Sequence, residues 1–276
     1  MHWQTARFDI DLTIPRVMGI VNVTPDSFSD GGQHASTAAA LRHCEQLIRD
    51  GAHLLDIGGE STRPGSPAVP LDVELARVLP VLKEACRLGL PISVDTYKPE
   101  VMQAALDVGV DIVNDIWALR LGNAVSVVAS HPRCGICLMH MHRDPQTMQV
   151  APMEGDVLPD VIGFLSGRAG VLASAGVAQA RIVLDPGVGF GKTVAQNFSL
   201  LARQAELLPL GFGLLAGWSR KSSLGAITGR DAPADRVAAS VSAAVLAVER
   251  GARVVRVHDV RDTVDAIKVW QALQAP

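Results

Sequence analysis

Eight short apolar runs punctuate the chain, each closing on a polar residue or cluster, with a helix-sized stretch between one run and the next. They read Val17-Met18-Gly19-Ile20-Val21 into Asn22, Leu54-Leu55-Asp56-Ile57 into Glu60-Ser61-Thr62-Arg63, Ile92-Ser93-Val94 into Asp95, and Ile112-Val113 into Asn114-Asp115. The series continues with Ile136-Cys137-Leu138-Met139 into His140, Ile182-Val183-Leu184 into Asp185, Leu214-Leu215-Ala216 into Ser219-Arg220-Lys221, and Val254-Val255 into Arg256 and His258. A near-continuous apolar run is a strand buried on both faces, as in a parallel sheet covered by helices. In such folds ligands bind beyond the carboxyl ends of the strands. One pattern thus points both to a fold class and to the place where a site should lie.

The stretches between runs carry helix signals. Thr37 to Ile48 ends at Gly51, Val73 to Leu88 ends at Gly89, and Pro99 opens a helix that ends at Gly109. Later helices stop at Gly176, Gly211 and Gly251, and Gly just past a helix is the expected terminator. Eight strand–helix units with right-handed crossovers predict an α/β fold, a (β/α)8 TIM barrel. An open doubly wound sheet is the alternative. Residues 8–14 alternate with period two and read as a short extra N-terminal strand or hairpin. The 276 residues, 48% hydrophobic, suit one barrel domain spanning 1–276 better than two domains.

A net charge of −3 gives no basic footprint for nucleic acid. No apolar run approaches the ~20 residues of a membrane span, and the N-terminus lacks a signal-peptide core. The expectation is a cytoplasmic protein with neither a nucleic-acid nor a membrane partner. Three motifs invite misreading. Cys134 and Cys137 form a C-x-x-C with no second pair at ligand spacing, so buried thiols are the plainer reading. The Gly187-to-Thr193 stretch resembles a phosphate loop, but Pro186 stands where a Walker A motif needs Gly, and Lys192 where a dinucleotide motif needs its third Gly. His140-Met141-His142 resembles a metal pair, yet the only other histidine at a strand end is His258.

The strand ends divide by chemistry. Asp95, Asn114 and Asp185 supply acceptors and one amide donor, which suits a flat heterocycle with several N–H groups. Lys221 is placed to donate to such a ring's carbonyl oxygen. Arg63, Arg256 and His258 form a cationic group suited to phosphate. Ser222 and Ser223 are expected to open a helix whose N–H groups can hold a carboxylate or phosphate. Two loops rich in Gly, Pro, Ser and Asp follow the first and second runs (24–32 and 58–67) and read as lids. No nucleophile–base pair is evident, which favours loss of a phosphate leaving group with stabilisation of the developing charge.

In order along nearly the whole chain, these stretches closely resemble the dihydropteroate synthases, the folate-pathway enzymes inhibited by sulfonamides. The matching segments are Met18 through Gly32, Asp56 through Gly65, Ser93 through Thr96, Val113 through Asp115, Met139 through Met141, Leu184 through Gly187, Ser219 through Ser222, and Arg256 through Val260. The resemblance implies a homodimeric barrel. It implies a transferase that joins 6-hydroxymethyl-7,8-dihydropterin diphosphate to p-aminobenzoate with Mg2+ assisting. By position, Asp95, Asn114, Asp185 and Lys221 would hold the pterin, with Asp95 and Lys221 catalytic. Arg256, His258, Asn22, Ser61 and Arg63 would take the diphosphate, with Asn22 also touching the metal. Thr62, Pro64, Phe190 and Ser222 would frame p-aminobenzoate. Val188, Trp218 and His142-Arg143 depart from the family pattern beside these positions and bear on inhibitor fit. Two alternatives share the ring-binding residues: a methyltransferase acting on methyltetrahydrofolate, and a pterin-binding paralogue without turnover.

Overall fold

Alternation along each strand decides what this barrel can do. The computed structural model describes residues 1–24, 32–62 and 65–274, with residues 32–36 as backbone alone. Eight parallel strands close on themselves: β3 (Arg16–Asn22), β4 (Leu54–Gly58), β5 (Ile92–Asp95), β6 (Ile112–Asp115), β7 (Gly135–Met139), β8 (Ile182–Asp185), β9 (Gly213–Ala216) and β10 (Ala252–Val257), with β10 pairing β3. The expected TIM barrel is therefore present, and the open-sheet alternative is not. Around it run α1 (Gly32–Arg49), α2 (Leu71–Ala85), α3 (Pro99–Asp107), α4 (Ala124–Ser130), α5 (Leu158–Ser174), α6 (Val194–Ala202), α7 (Ser222–Thr228), α8 (Val237–Glu249) and α9 (Val260–Gln274).

Outward-facing strand residues such as Val21, Ile57, Val94, Val113, Leu138, Leu184 and Val255 join the helices in one large buried layer. Inward residues behave differently at the two ends of the barrel. Near the amino ends Met18, Leu54, Ile112, Cys137, Val183, Leu215 and Val254 pack together as an apolar plug. One pleat later the inward positions turn polar: Leu54 gives way to Asp56, Ile112 to Asn114, Val183 to Asp185, and Val254 to Arg256. The period of two places these side chains on the same inner face. A barrel with an apolar floor and a polar ceiling results.

The N-terminal hairpin, β1 (His2–Gln4) and β2 (Asp9–Asp11), seals the floor. Trp3, Ile10 and Leu12 join the apolar plug, and the Trp3 indole N–H donates to the Arg181 carbonyl at 3.0 Å. Gly213 lets Leu12 approach closely: a Cβ there would lie 2.7 Å from the Leu12 Cδ1, which would have to shift. The hairpin is latched by Arg7, which forks onto the fully buried Asp111 at 2.9 and 2.5 Å. Helix ends follow the glycine signals; Gly51, for example, takes φ +96° where a side chain would be strained. The four cysteines are free thiols, and Cys137 lies in the plug.

Because Trp3 fills the floor completely, Trp3→Ala should lower the unfolding free energy by about 3–5 kcal/mol, the range for truncating a buried aromatic. Denaturant titration reads this directly; an unchanged midpoint would mean that the hairpin is not part of the core.

Candidate active site

At the polar ceiling, side chains of four strands form one network around the Arg256 guanidinium. Arg256 of β10 donates from Nε to Asp56 Oδ2 at 2.5 Å and from Nη2 to Asp95 Oδ2 at 2.7 Å. The same Asp56 oxygen accepts from Asn114 Nδ2 at 3.0 Å. Asp56 is fully buried and Asp95 nearly so. One cation between two carboxylates in a poorly hydrated space is what keeps both tolerable, since an uncompensated buried charge is strongly destabilising. Three buried acceptor or hydroxyl atoms nevertheless have no partner: Asp56 Oδ1, Asp95 Oδ1 and Ser93 Oγ. Buried polar atoms are rarely left so. These three face the barrel interior and are suited to N–H donors of a ligand.

Asp95 titrates far from the ordinary carboxylate range, near about 7. Burial is the main cause; Arg256 opposes it, while Asp56 and Glu74 add to it. A folded-state pKa raised in this way means that ionising Asp95 subtracts from stability as the pH climbs from the ordinary carboxylate range through about 7. Asp185, at the end of β8, is also raised by burial, against the pull of the Gly187 N–H and Lys221. That N–H donates to Asp185 Oδ1 at 2.7 Å.

Arg256, expected with Arg63 and His258 to meet phosphate, lies among the acceptors, where its Nε and Nη2 bond Asp56 and Asp95. Side chains of β4, β5, β6 and β10 thus form one polar cluster. Asp56 is the residue that sequence reasoning passed over. It lies one pleat before the strand end, inside an apolar run, and a lone acid in such a run was the available signal. Asp115, which shares the end of β6 with Asn114, faces away and holds the Trp117 and Leu119 N–H groups at 2.7 Å each.

Across the mouth, Lys221 is set by two loops. Its Nζ lies 4.3 Å from the centroid of the buried Phe190 ring, a cation–π contact, and its stem passes so close to Gly189 that a Cβ there would sit 3.3 Å away. The preceding residue, Arg220, has φ 59°, a strained value for a side chain of its size. That turn is held by a two-pronged Arg220–Asp259 pair at 3.0 and 2.6 Å, by the Ser240 hydroxyl on its N–H, and by Arg236 on its carbonyl. Ser219, also missed as a site residue, accepts from the His258 N–H at 3.1 Å and pairs with His258 Nδ1 at 3.0 Å, fixing the ring. Ser222 opens α7 as expected, exposed at the rim.

The root of the second loop is anchored by charge. Lys98 pairs with both Glu60 and Glu74, Tyr97 donates to Glu60 at 2.7 Å, and Thr96 donates to the buried Glu74 at 2.7 Å. Beyond this anchor, Ser61 pairs with Ser66 at 2.9 Å, and Ser61 and Thr62 line a cavity of about 180 Å³ with Tyr97 and Trp117. Asn22 is half-buried at the end of β3, in register with Gly58, which is in turn in register with Asp95. Arg63, Pro64 and most of the first loop lie outside the described residues. His140 is buried against Lys192 and does not reach the acceptor group.

A model of the pterin binding enzyme family matches residues 18–258, a span that contains every strand end described above. The dihydropteroate synthase of Neisseria meningitidis serogroup B is 50% identical over 276 residues, covering 98% of this chain and 97% of its own. The chain belongs to the dihydropteroate synthase family. Among solved structures, Xanthomonas albilineans dihydropteroate synthase with 4-aminobenzoic acid superposes with a TM-score of 0.94 at 50% identity, with full coverage of both chains. The Burkholderia cenocepacia enzyme complexed with 7,8-dihydropteroate gives a TM-score of 0.89 at 51% identity, covering 99% of this chain and 96% of that one.

Removing the shared cation should expose both carboxylates. Arg256→Met is expected to move the Asp95 titration above about 7, because Arg256 pulls it down, and to lower stability by roughly 3–5 kcal/mol. Carbon-13 NMR of the aspartate carboxyls follows the first effect; a wild-type midpoint in a folded variant would show that the pair does not govern Asp95.

Proposed function

We infer that this protein is a dihydropteroate synthase, a transferase of folate biosynthesis. It condenses 6-hydroxymethyl-7,8-dihydropterin diphosphate with p-aminobenzoate to give 7,8-dihydropteroate and diphosphate. The observation that carries the reading is the set of buried, partnerless acceptors around Arg256, facing Lys221. A pterin ring offers several N–H donors on one edge and a carbonyl oxygen beside them. Asp56, Asp95, Asn114 and Asp185 match the first, and the Lys221 ammonium the second.

No nucleophilic side chain is needed. Diphosphate leaves with the electron pair of the C–O bond, giving a cationic pterin methylene. The lone pair of the p-aminobenzoate nitrogen then forms the new C–N bond, and that nitrogen loses one proton. Asp95, whose ionised form Arg256 favours against burial, stabilises the cation electrostatically when charged, and Lys221 orients the ring. His258, fixed by Ser219, takes the diphosphate together with Arg256, Asn22, Ser61 and Arg63. Phe190, Thr62, Pro64 and Ser222 frame p-aminobenzoate.

The site also suits Mg2+. Among the described residues no three His, Cys, Asp or Glu side chains gather to hold a metal by themselves. The half-buried Asn22 carboxamide offers one neutral oxygen at the mouth. That is enough for an ion which keeps several waters and is shared with substrate phosphates. Bound there, it would offset the charge on the departing diphosphate. The same reading takes residues 1–276 as a single domain, placed in the cytoplasm as a homodimer, with small molecules as its other partners.

Purified protein given Mg2+, p-aminobenzoate and the dihydropterin diphosphate should form dihydropteroate and release diphosphate in equal amounts. Lys221→Ala should lower turnover by about a hundredfold or more, the scale of losing one pre-organised electrostatic contact. Absence of dihydropteroate in the wild-type reaction would overturn the assignment; full turnover in the variant would remove Lys221 from the site.

A further inference from the structure

The most deeply buried cation of the described barrel mouth is Lys192, only 2% exposed, in the loop between β8 and α6. Its ammonium meets three acceptors, the Gly187 carbonyl at 2.8 Å, the Phe190 carbonyl at 3.2 Å and His140 Nδ1 at 2.9 Å. Three donors on three acceptors leave none unsatisfied. Two of those acceptors belong to the loop that carries Phe190, and the third is fixed at the end of β7. The turn also bonds Asp185 through the Gly187 N–H, Asn197 through the Gly189 N–H, Gln149 through the Gly189 carbonyl and the Met153 N–H through the Gly191 carbonyl; Gly187, Gly189 and Gly191 all have positive φ, and a Cβ at Gly187 would fall 1.8 Å from the His140 carbonyl. Among these supports Lys192 is the buried cation that ties the glycine turn to the His140 side chain at the end of β7.

What the turn presents is the site. Gly187 donates its N–H to Asp185, Gly189 supports the stem of Lys221, and the Phe190 ring lies beneath Lys221 Nζ. Resting on the dihydropteroate synthase reading above, we propose that Lys192 is a positioning residue: it acts through the Gly187–Gly191 turn to set Phe190 and, with it, the ammonium of Lys221. His140 is its stationary partner, not a metal ligand.

The pair is also chemically tolerant. Burial pulls the Lys192 ammonium down to about 7, with Asp185 opposing and Lys221 reinforcing. Burial and nearby Lys192 hold His140 near about 3, so its ring is neutral. If Lys192 loses its proton, the amine still donates to both carbonyls and accepts from His140 in its Nδ1–H tautomer. The tie keeps all three bonds in either state, so it does not need one fixed charge at the centre of the fold.

The test is Lys192→Met beside Lys192→Arg. Thermal melting checks that each is folded, steady-state kinetics reads the site, and hydrogen exchange reads the Gly189, Phe190 and Gly191 amides. Lys192→Met is expected to lower kcat and kcat/KM for p-aminobenzoate together by at least tenfold, with faster exchange confined to this turn. Lys192→Arg, which keeps donors and charge, should recover most of the loss. A folded Lys192→Met with wild-type kinetic constants, or with unchanged exchange, would overturn the proposal. If Lys192→Met does not fold, the Arg variant decides: wild-type exchange with wild-type kinetics supports the tie, and slowed turnover with wild-type exchange contradicts it. Wild-type protein without dihydropteroate synthesis would instead count against the functional reading, and the exchange measurement would still decide the role of Lys192.

Discussion

The Arg256 guanidinium, divided between Asp56 and Asp95, is the contact on which the site depends. Two carboxylates inside a barrel lined by Met18, Leu54, Val183 and Val254 would otherwise repel one another in a medium that screens poorly. One cation with planar, divergent donors binds one oxygen of each and leaves the other oxygen of each without a partner. The arrangement stores acceptor capacity where water has little access. A donor-rich ring can therefore be bound there more strongly than at an exposed surface. The stabilising interaction and the recognition surface are two sides of the same side chains.

The opposite wall is assembled from turns rather than strands, and each turn is tied by a buried or half-buried cation. Arg220 and Arg236 hold the strained corner before Lys221, Lys98 holds the root of the second loop, and Lys192 holds the glycine turn beneath Phe190. Rigid strands thus supply the acceptors and tied loops supply the donors. Such a division suits a reaction in which a ring must be held still while a leaving group and a second substrate exchange places at its edge.

Most of the barrel was legible because strand burial on both faces leaves a continuous apolar trace, and the polar ends were legible because they interrupt it. Asp95, Asn114 and Asp185 fell at those interruptions. Asp56 did not: it lies one pleat deeper, where period-two alternation rather than the end of the run marks it. The charge of Arg256 is plain in the sequence, but charge alone does not say that its neighbour is Asp56, 200 residues away. Lys192 resembled a failed phosphate motif because its spacing was read against ligand-binding loops, whereas its partners are backbone carbonyls and a histidine on the next strand. The second strand of the hairpin was visible as alternation over residues 8–14, while its first strand and its role as a floor depend on Trp3 reaching Arg181, a contact that local pattern does not encode.

Asp56 and Asp95 share one guanidinium, and the charge of Asp56 adds to burial in raising Asp95. Asp56→Asn removes the like charge while its carboxamide oxygen can still accept from Arg256 and Asn114. Because Asp56 helps to raise Asp95, the variant should move the acid limb of kcat/KM for the dihydropterin diphosphate to lower pH than in the wild type, whatever happens to the plateau. An acid limb at the wild-type position, or one moved to higher pH, would contradict the account.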